Sequence, residues 1–153
     1  MALDKEKLLK DLQELLEAET NAVAAVNLAN VFINYYSNAT VMDTKPIITP
    51  LDALFLTTLD GKSWIQTLGT TLQTWLLTIV WSSVAFTGPT APTTGPALDT
   101  LLISFNEAAL ADKSLPPKDP LPDFVDIIHK WSITIPVALI NNISAAPTPV
   151  VMS

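Results

Sequence analysis

From Ser63 to Leu98 the chain carries no charged side chain. A stretch of that length without charge has three physical fates: it crosses a bilayer, it fills a core, or a partner covers it. A spanning helix needs about 20 predominantly apolar residues. Here Trp64 to Phe86 is interrupted by Gln66, Thr67, Thr70, Thr71, Gln73, Thr74 and Thr78. The apolar positions Ile65, Leu68, Leu72, Trp75, Leu76 and Ile79 keep the three-and-four spacing of one helix face. The spacing predicts an amphipathic helix with an uncharged polar face, and no membrane span is expected. Such a face is unusual against water and ordinary at a packed subunit interface.

The rest of the composition agrees. The 153 residues suit one compact domain or two very small ones. Apolar residues make up 49% and charged residues 15%, against roughly 25% charged in an average soluble domain. Enough apolar surface is present for a core, and too little charge to cover a free monomer generously. All eight basic residues are lysines and the net charge is −7, so the basic stripe and arginine forks that hold phosphates are missing and nucleic acid is not an expected partner. With 4 glycines and no Gly-rich phosphate loop, a nucleotide site is not expected either. The lack of cysteine removes disulfides, thiol catalysis and thiolate metal sites. The opening Met1-Ala-Leu-Asp-Lys-Glu-Lys7 has no basic region followed by an apolar core, so no signal peptide is visible. The sequons at Asn38 and Asn142 then read as chance.

Three segments recur in order. Aligned without gaps from Leu28, Leu68 and Phe124, they place large apolar residues at Phe32, Leu72 and Ile128 and aromatics at Tyr35, Trp75 and Trp131. A β-prone stretch follows each. Leu-Asp precedes each, at Leu3-Asp4, Leu51-Asp52 and Leu98-Asp99, and aspartate is a good helix N-cap. The implied unit is helix, break, helix, short strand, over roughly 3–43, 50–86 and 97–138. The fold expected is mainly α with short β segments: three helix-pair units in one small globular domain or two subdomains. Two units occupy 1–86. An extended Gly/Pro/Thr linker follows at 87–97, the third unit at 98–144, and an extended C-terminal tail at 145–153, either frayed or added as a strand to a neighbouring subunit.

Within these units, Leu8, Leu9, Leu12, Leu15 and Leu16 form the apolar face of the first helix. The second runs through Val23, Val26, Leu28, Val31, Phe32 and Tyr35 and ends near Asn38. Gly61 and Ser63 fit the close of one helix and the cap of the next. Pro116, Pro117 and Pro120 delay the last helix to about Pro122 or Asp123.

Groups able to do chemistry are few. His129 is the only histidine, with Asp126 three residues earlier on the same helix face. Ser132 or Ser144 completes a nucleophilic triad on paper, but no Gly-x-Ser-x-Gly elbow exists. The carboxylates at Glu14, Glu17 and Glu19 and at Asp119, Asp123 and Asp126 lack the pattern of a calcium loop and read as solvated faces. No catalytic, cofactor-binding or metal-binding residue is assigned, no cofactor is expected, and the chain is not expected to be an enzyme. Trp64, Trp75, Trp81 and Trp131, with Leu68 and Leu72, are instead expected as interface anchors.

The opening Met1 to Leu9, the segment Phe32-Ile-Asn-Tyr-Tyr-Ser-Asn-Ala-Thr-Val41 and the linker at 87–97 resemble small virion proteins of tailed bacteriophages, found among tail, neck and head-completion genes. The resemblance covers residues 1–43 best and the linker loosely, and it carries over no functional residue. It implies a non-enzymatic structural component of the virion, in the neck, tail or head–tail connector region. Such a protein is assembled in the host cytoplasm and acts by packing with copies of itself and other virion proteins in a symmetric assembly. Three other readings compete: a capsid decoration protein, a helical module binding an apolar ligand or lipid through Trp64, Trp75 and Trp81, and an enzyme using Asp126 and His129.

Overall fold

A computed structural model describes residues 3–17, 21–40, 45–47, 64–82, 86–89, 98–114, 119–134, 136–141 and 147–152. These residues are mainly helical, with five α-helices. Asp4 opens α1 (Lys5–Gln13): its backbone is extended and its Oδ1 accepts the Lys7 amide at 3.0 Å, which satisfies a first-turn donor. Leu8 and Leu12 point into the core, with Leu9 and Leu15 partly covered, and a 3₁₀ turn continues over Glu14–Glu17. The Leu16 side chain lies outside the described residues.

Helix α2 spans Asn21–Ser37, and its C-terminal half is the most deeply buried part of the chain's first 40 residues. Ala29, Phe32 and Tyr36 are inaccessible, and Leu28, Val31 and Tyr35 nearly so. The apolar series expected for this helix needs a correction at its start. Val23 and Val26 are each 45% exposed. They share a face with Asn30, Asn34 and Ser37 at three-and-four spacing, opposite the face carrying Leu28, Phe32 and Tyr36. Asn38 follows the helix end and donates from Nδ2 to the Asn34 carbonyl at 3.2 Å.

Helix α3 (Trp64–Thr78) buries Leu68, Leu72, Trp75 and Leu76, with Ile79 just beyond its end, and turns Thr67, Thr70 and Thr74 outward. It packs closely on the start of α4 (Leu98–Ala111). A Cβ built on Gly69 lies 2.6 Å from the Asp99 Cα, so the absence of a side chain there lets the two backbones meet. The expected cap at Asp99 also needs correction. Asp99 lies inside the first turn of α4, and the Leu98 amide instead donates to Gln73 Oε1 of α3 at 3.1 Å. Helix α5 (Leu121–Thr134) begins one residue before the expected Pro122, and Asp119 Oδ1 accepts the Leu121 amide at 3.1 Å. Pro122 sits in the first turn, where a missing N–H costs no intrahelical bond.

Five strand segments pair antiparallel in chain order: β1 (Lys45–Ile47), β2 (Val80–Ser82), β3 (Phe86–Pro89), β4 (Pro136–Asn141) and β5 (Pro147–Val151). Trp81 stands in register between Pro46 and Gly88. Residues 87–89 of the expected linker therefore lie in β3, and 90–97 fall outside the described residues. Most of the expected tail forms β5, which pairs with β4 of its own chain. Leu51, Asp52, Gly61, Ser63 and Ser144 lie outside the described residues. Buried side chains from all five helices, with Trp81 and Met152, join one hydrophobic cluster. Among the described residues no helix is long and apolar enough to cross a membrane.

Candidate functional site

The described residues offer three places where function can reside: the polar cluster around His129, a cleft between α4 and α5, and the solvent faces of α2 and α3.

The polar cluster joins α1, α2 and α5. Lys5 Nζ of α1 lies 2.8 Å from Asp126 Oδ1 of α5, and Lys130 Nζ lies 3.9 Å from Oδ2. The hydrogen bond and charge of Lys5 hold the Asp126 carboxyl below its usual range, and the same contact raises the Lys5 ammonium. The Tyr35 hydroxyl of α2 lies 2.7 Å from His129 Nδ1. Burial pushes the Tyr35 hydroxyl well up, so it keeps its proton. Burial and the Lys5 charge push His129 below its ordinary 6.5, against the pull of Asp126 and Asp4. At neutral pH the pair is a protonated tyrosine sharing one hydrogen bond with a neutral imidazole, the tautomer of which sets the donor.

Ser132 is fully buried one turn further along α5. Its Oγ donates to the Ile128 carbonyl at 2.7 Å and also lies 2.7 Å from the Tyr36 hydroxyl. The Ser132, His129 and Asp126 considered together from the sequence are thus brought onto one helix but turned to different partners. Ser132 is committed to Tyr36 and a carbonyl, His129 to Tyr35, and Asp126 to lysines. No group of three or more His, Asp or Glu side chains suited to a metal occurs among the described residues.

The expected anchors Leu68, Leu72, Trp75, Trp81 and Trp131 are all brought together, but inside the chain's own core, each no more than 4% exposed. The reason is geometric: the helical faces that carry Leu68, Leu72, Trp75 and Trp131 point into the one core that also takes Trp81 of β2, and Trp75 meets Tyr36 edge-on with ring centroids 5.8 Å apart. A neighbour cannot reach them in the folded chain. The Trp64 side chain lies outside the described residues.

A cleft of about 540 Å³ lies between the C-terminal half of α4 and the start of α5, lined by Phe105, Ala108, Ala109 and Pro120 with Asp112 and Asp123. Leu110 on the same helix is 73% exposed.

The solvent faces of α2 and α3 are distinct from the others. Neither Asn21–Ser37 nor Trp64–Thr78 contains a charged residue. α2 shows Val23, Val26, Asn30, Asn34 and Ser37 to solvent, and α3 shows Thr67, Thr70 and Thr74. The α3 face was legible in advance. The α2 face was missed, although the asparagines at 27, 30, 34 and 38 are spaced to mark it. Comparison of the chain with protein-family models, with curated proteins and with solved structures gave no match.

Proposed function

We propose that the chain is a non-enzymatic structural component of a tailed-phage virion, in the neck, tail or head–tail connector region, and acts by subunit packing in a symmetric assembly. The observation that carries this reading is the pair of charge-free solvent faces on α2 and α3 in a chain of net charge −7. A solvated helix face normally carries charge. A face that spends its life against a neighbour does not, because burying an unpaired charge is costly. The virion assignment rests on the resemblance of residues 1–43 to small phage virion proteins.

The repeat of helix, break, helix and short strand belongs to the same proposal. Its support is the order of elements: β1 follows α2, β2 follows α3 and β4 follows α5, while Asp4 caps α1 as the repeat requires.

Mass spectrometry of purified particles from the source culture tests the assignment. The chain is expected at a fixed ratio to the major capsid protein. Its absence from particles, with the protein present in the lysate, contradicts the virion reading.

A second reading, a module for an apolar ligand, is favoured by the cleft beside Phe105 and Ala108, whose volume falls within the range of small-molecule sites. Extraction of the purified protein followed by mass spectrometry would reveal a stoichiometric lipid under that reading, and none under the first.

A further inference from the structure

We infer that β5 is an edge-closing strand: its prolines, with Pro46 of β1, shut both outer edges of the sheet to a strand from another chain. The inference is independent of the virion reading, and it leaves contacts between copies to surfaces other than the sheet edges.

The composition of the sheet creates the need. Strands β2 to β5 carry no charged residue, and Lys45 is the one charge in β1. Val137-Ala-Leu-Ile-Asn141 of β4 is an uncharged, β-prone run without proline. Such a run at an open edge is a template for pairing with a second chain. Charge is one common guard of an edge, and here it is nearly missing.

Proline is another guard, and it works in only one register. In an antiparallel ladder, facing residues alternate between pairs that exchange both N–H···O bonds and pairs whose backbone polar groups turn away. A proline in an exchanging pair forfeits a bond, and in a turned-away pair it forfeits none on that side. Along β4 and β5, Pro136 faces Val151, Ala138 faces Pro149 and Ile140 faces Pro147. These pairs alternate with Val137 facing Val150 and Leu139 facing Thr148. Every pair of the first set contains a proline, and neither pair of the second does. The second set therefore exchanges the bonds. Thr148 and Val150 donate to β4, while the backbone groups of Pro147, Pro149 and Val151 turn outward.

The opposite edge obeys the same rule. The pairs Lys45–Ser82 and Ile47–Val80 flank Pro46–Trp81. Pro46 thus turns outward, and Trp81 turns its amide toward β3, where it faces Gly88. Pro89, facing Val80, also falls in a turned-away pair of the β2–β3 ladder.

The strand order leaves β1 and β5 outermost. Over the described lengths of these two strands, Val151 supplies the one outward amide, and Pro46, Pro147 and Pro149 offer carbonyls alone. A strand added there finds acceptors without donors, and its own carbonyls lose water without gaining a partner. β5 covers β4 with one edge and presents a closed edge to its surroundings.

Thioflavin fluorescence of the full chain over days of incubation reads strand stacking and is blind to helix contacts. Pro147→Thr with Pro149→Thr restores two outward amides, and this variant is expected to show a severalfold rise that wild type does not. Pro120→Thr removes a proline outside the sheet and is expected to behave as wild type. A rise in wild type, no rise in the double variant, or an equal rise in Pro120→Thr overturns the inference.

Should the double variant fail to fold, urea denaturation of a second pair decides. Val150→Pro removes a donor to β4 and is expected to lower the midpoint below that of Val150→Ala. Val151→Pro removes an outward amide and is expected to match Val151→Ala. Equal losses from the two prolines, or the reverse order, overturn the assignment of outward amides and the closed edge with it.

Discussion

Ser132 gives its one hydrogen to the Ile128 carbonyl, so the Tyr36 hydroxyl must be the donor in the bond between them. The two ends of that bond are therefore unequal. Tyr36→Phe removes the donor and leaves Ser132 still bonded, costing about 1 kcal/mol. Ser132→Ala leaves a buried phenol hydrogen with no acceptor and costs more, about 1–3 kcal/mol. Urea denaturation of the two variants and their double mutant measures the difference, and equal losses would contradict the assignment of donor and acceptor.

The neighbouring Tyr35–His129 pair predicts a pH effect. The folded-state pKa of His129 lies below its ordinary 6.5, so between the two values the unfolded chain binds more protons. The stability that comes from keeping His129 neutral is complete above pH 6.5 and is lost as pH falls through that window. The groups facing the ring are Tyr35 of α2, Lys5 and Asp4 on the α1 side, and Asp126 of α5. His129→Gln is expected to flatten the dependence of the urea midpoint on pH just below 6.5, whereas Asp126, with its lowered pKa, titrates further into acid. Asp126 and His129 were visible in sequence as neighbours on a helix. Their partners Tyr35 and Lys5 were not, because each lies some hundred residues away along the chain and meets α5 only through tertiary contact.

At the scale of elements, the meeting of α3 and α4 sets two effects against each other. Replacing a mid-helix glycine by alanine normally stabilises a helix by about 1 kcal/mol. At Gly69 the new Cβ would lie 2.6 Å from Asp99 Cα and 2.8 Å from its nitrogen, both backbone atoms that cannot swing aside. Overpacking costs about 1–3 kcal/mol and wins, so Gly69→Ala is expected to lower the thermal midpoint, where an unobstructed helix glycine would raise it.

Helix ends show what sequence can and cannot report. Asp4 was legible as a cap because the cap is a local bond to an amide three residues on. Asp99 was misplaced because the first amide of α4 is capped by Gln73, a side chain of another helix. The exposure of Val23 and Val26 was missed for a related reason. The residues from 23 to 35 contain enough apolar positions to fill two faces, and only the surrounding elements decide which one is inside.

For the whole molecule, the central question is what the uncharged surface is for. The hydrophobic cluster draws on all five helices, and Trp75, Trp81 and Trp131, expected at an interface, complete it instead. Trp75→Ala is accordingly expected to cost about 3–5 kcal/mol, enough to unfold a marginal domain, whereas Val26→Lys on the outer face of α2 should change monomer stability by no more than about 0.5 kcal/mol. Circular dichroism with heating separates the two outcomes. The charge-free stretch from Ser63 predicted the character of α3 correctly, because hydropathy and period are local properties. Which apolar residues face inward and which face a neighbour depends on how the helices are arranged, and that arrangement is not written in any one segment.

The most direct measurement is the mass of the purified chain in solution by light scattering across a range of concentrations. The account predicts a mass that rises from one chain toward a discrete multiple, with the rise abolished by Val26→Lys at unchanged helix content. A single-chain mass at every concentration, with the protein folded, would contradict the claim that these faces exist to meet other subunits.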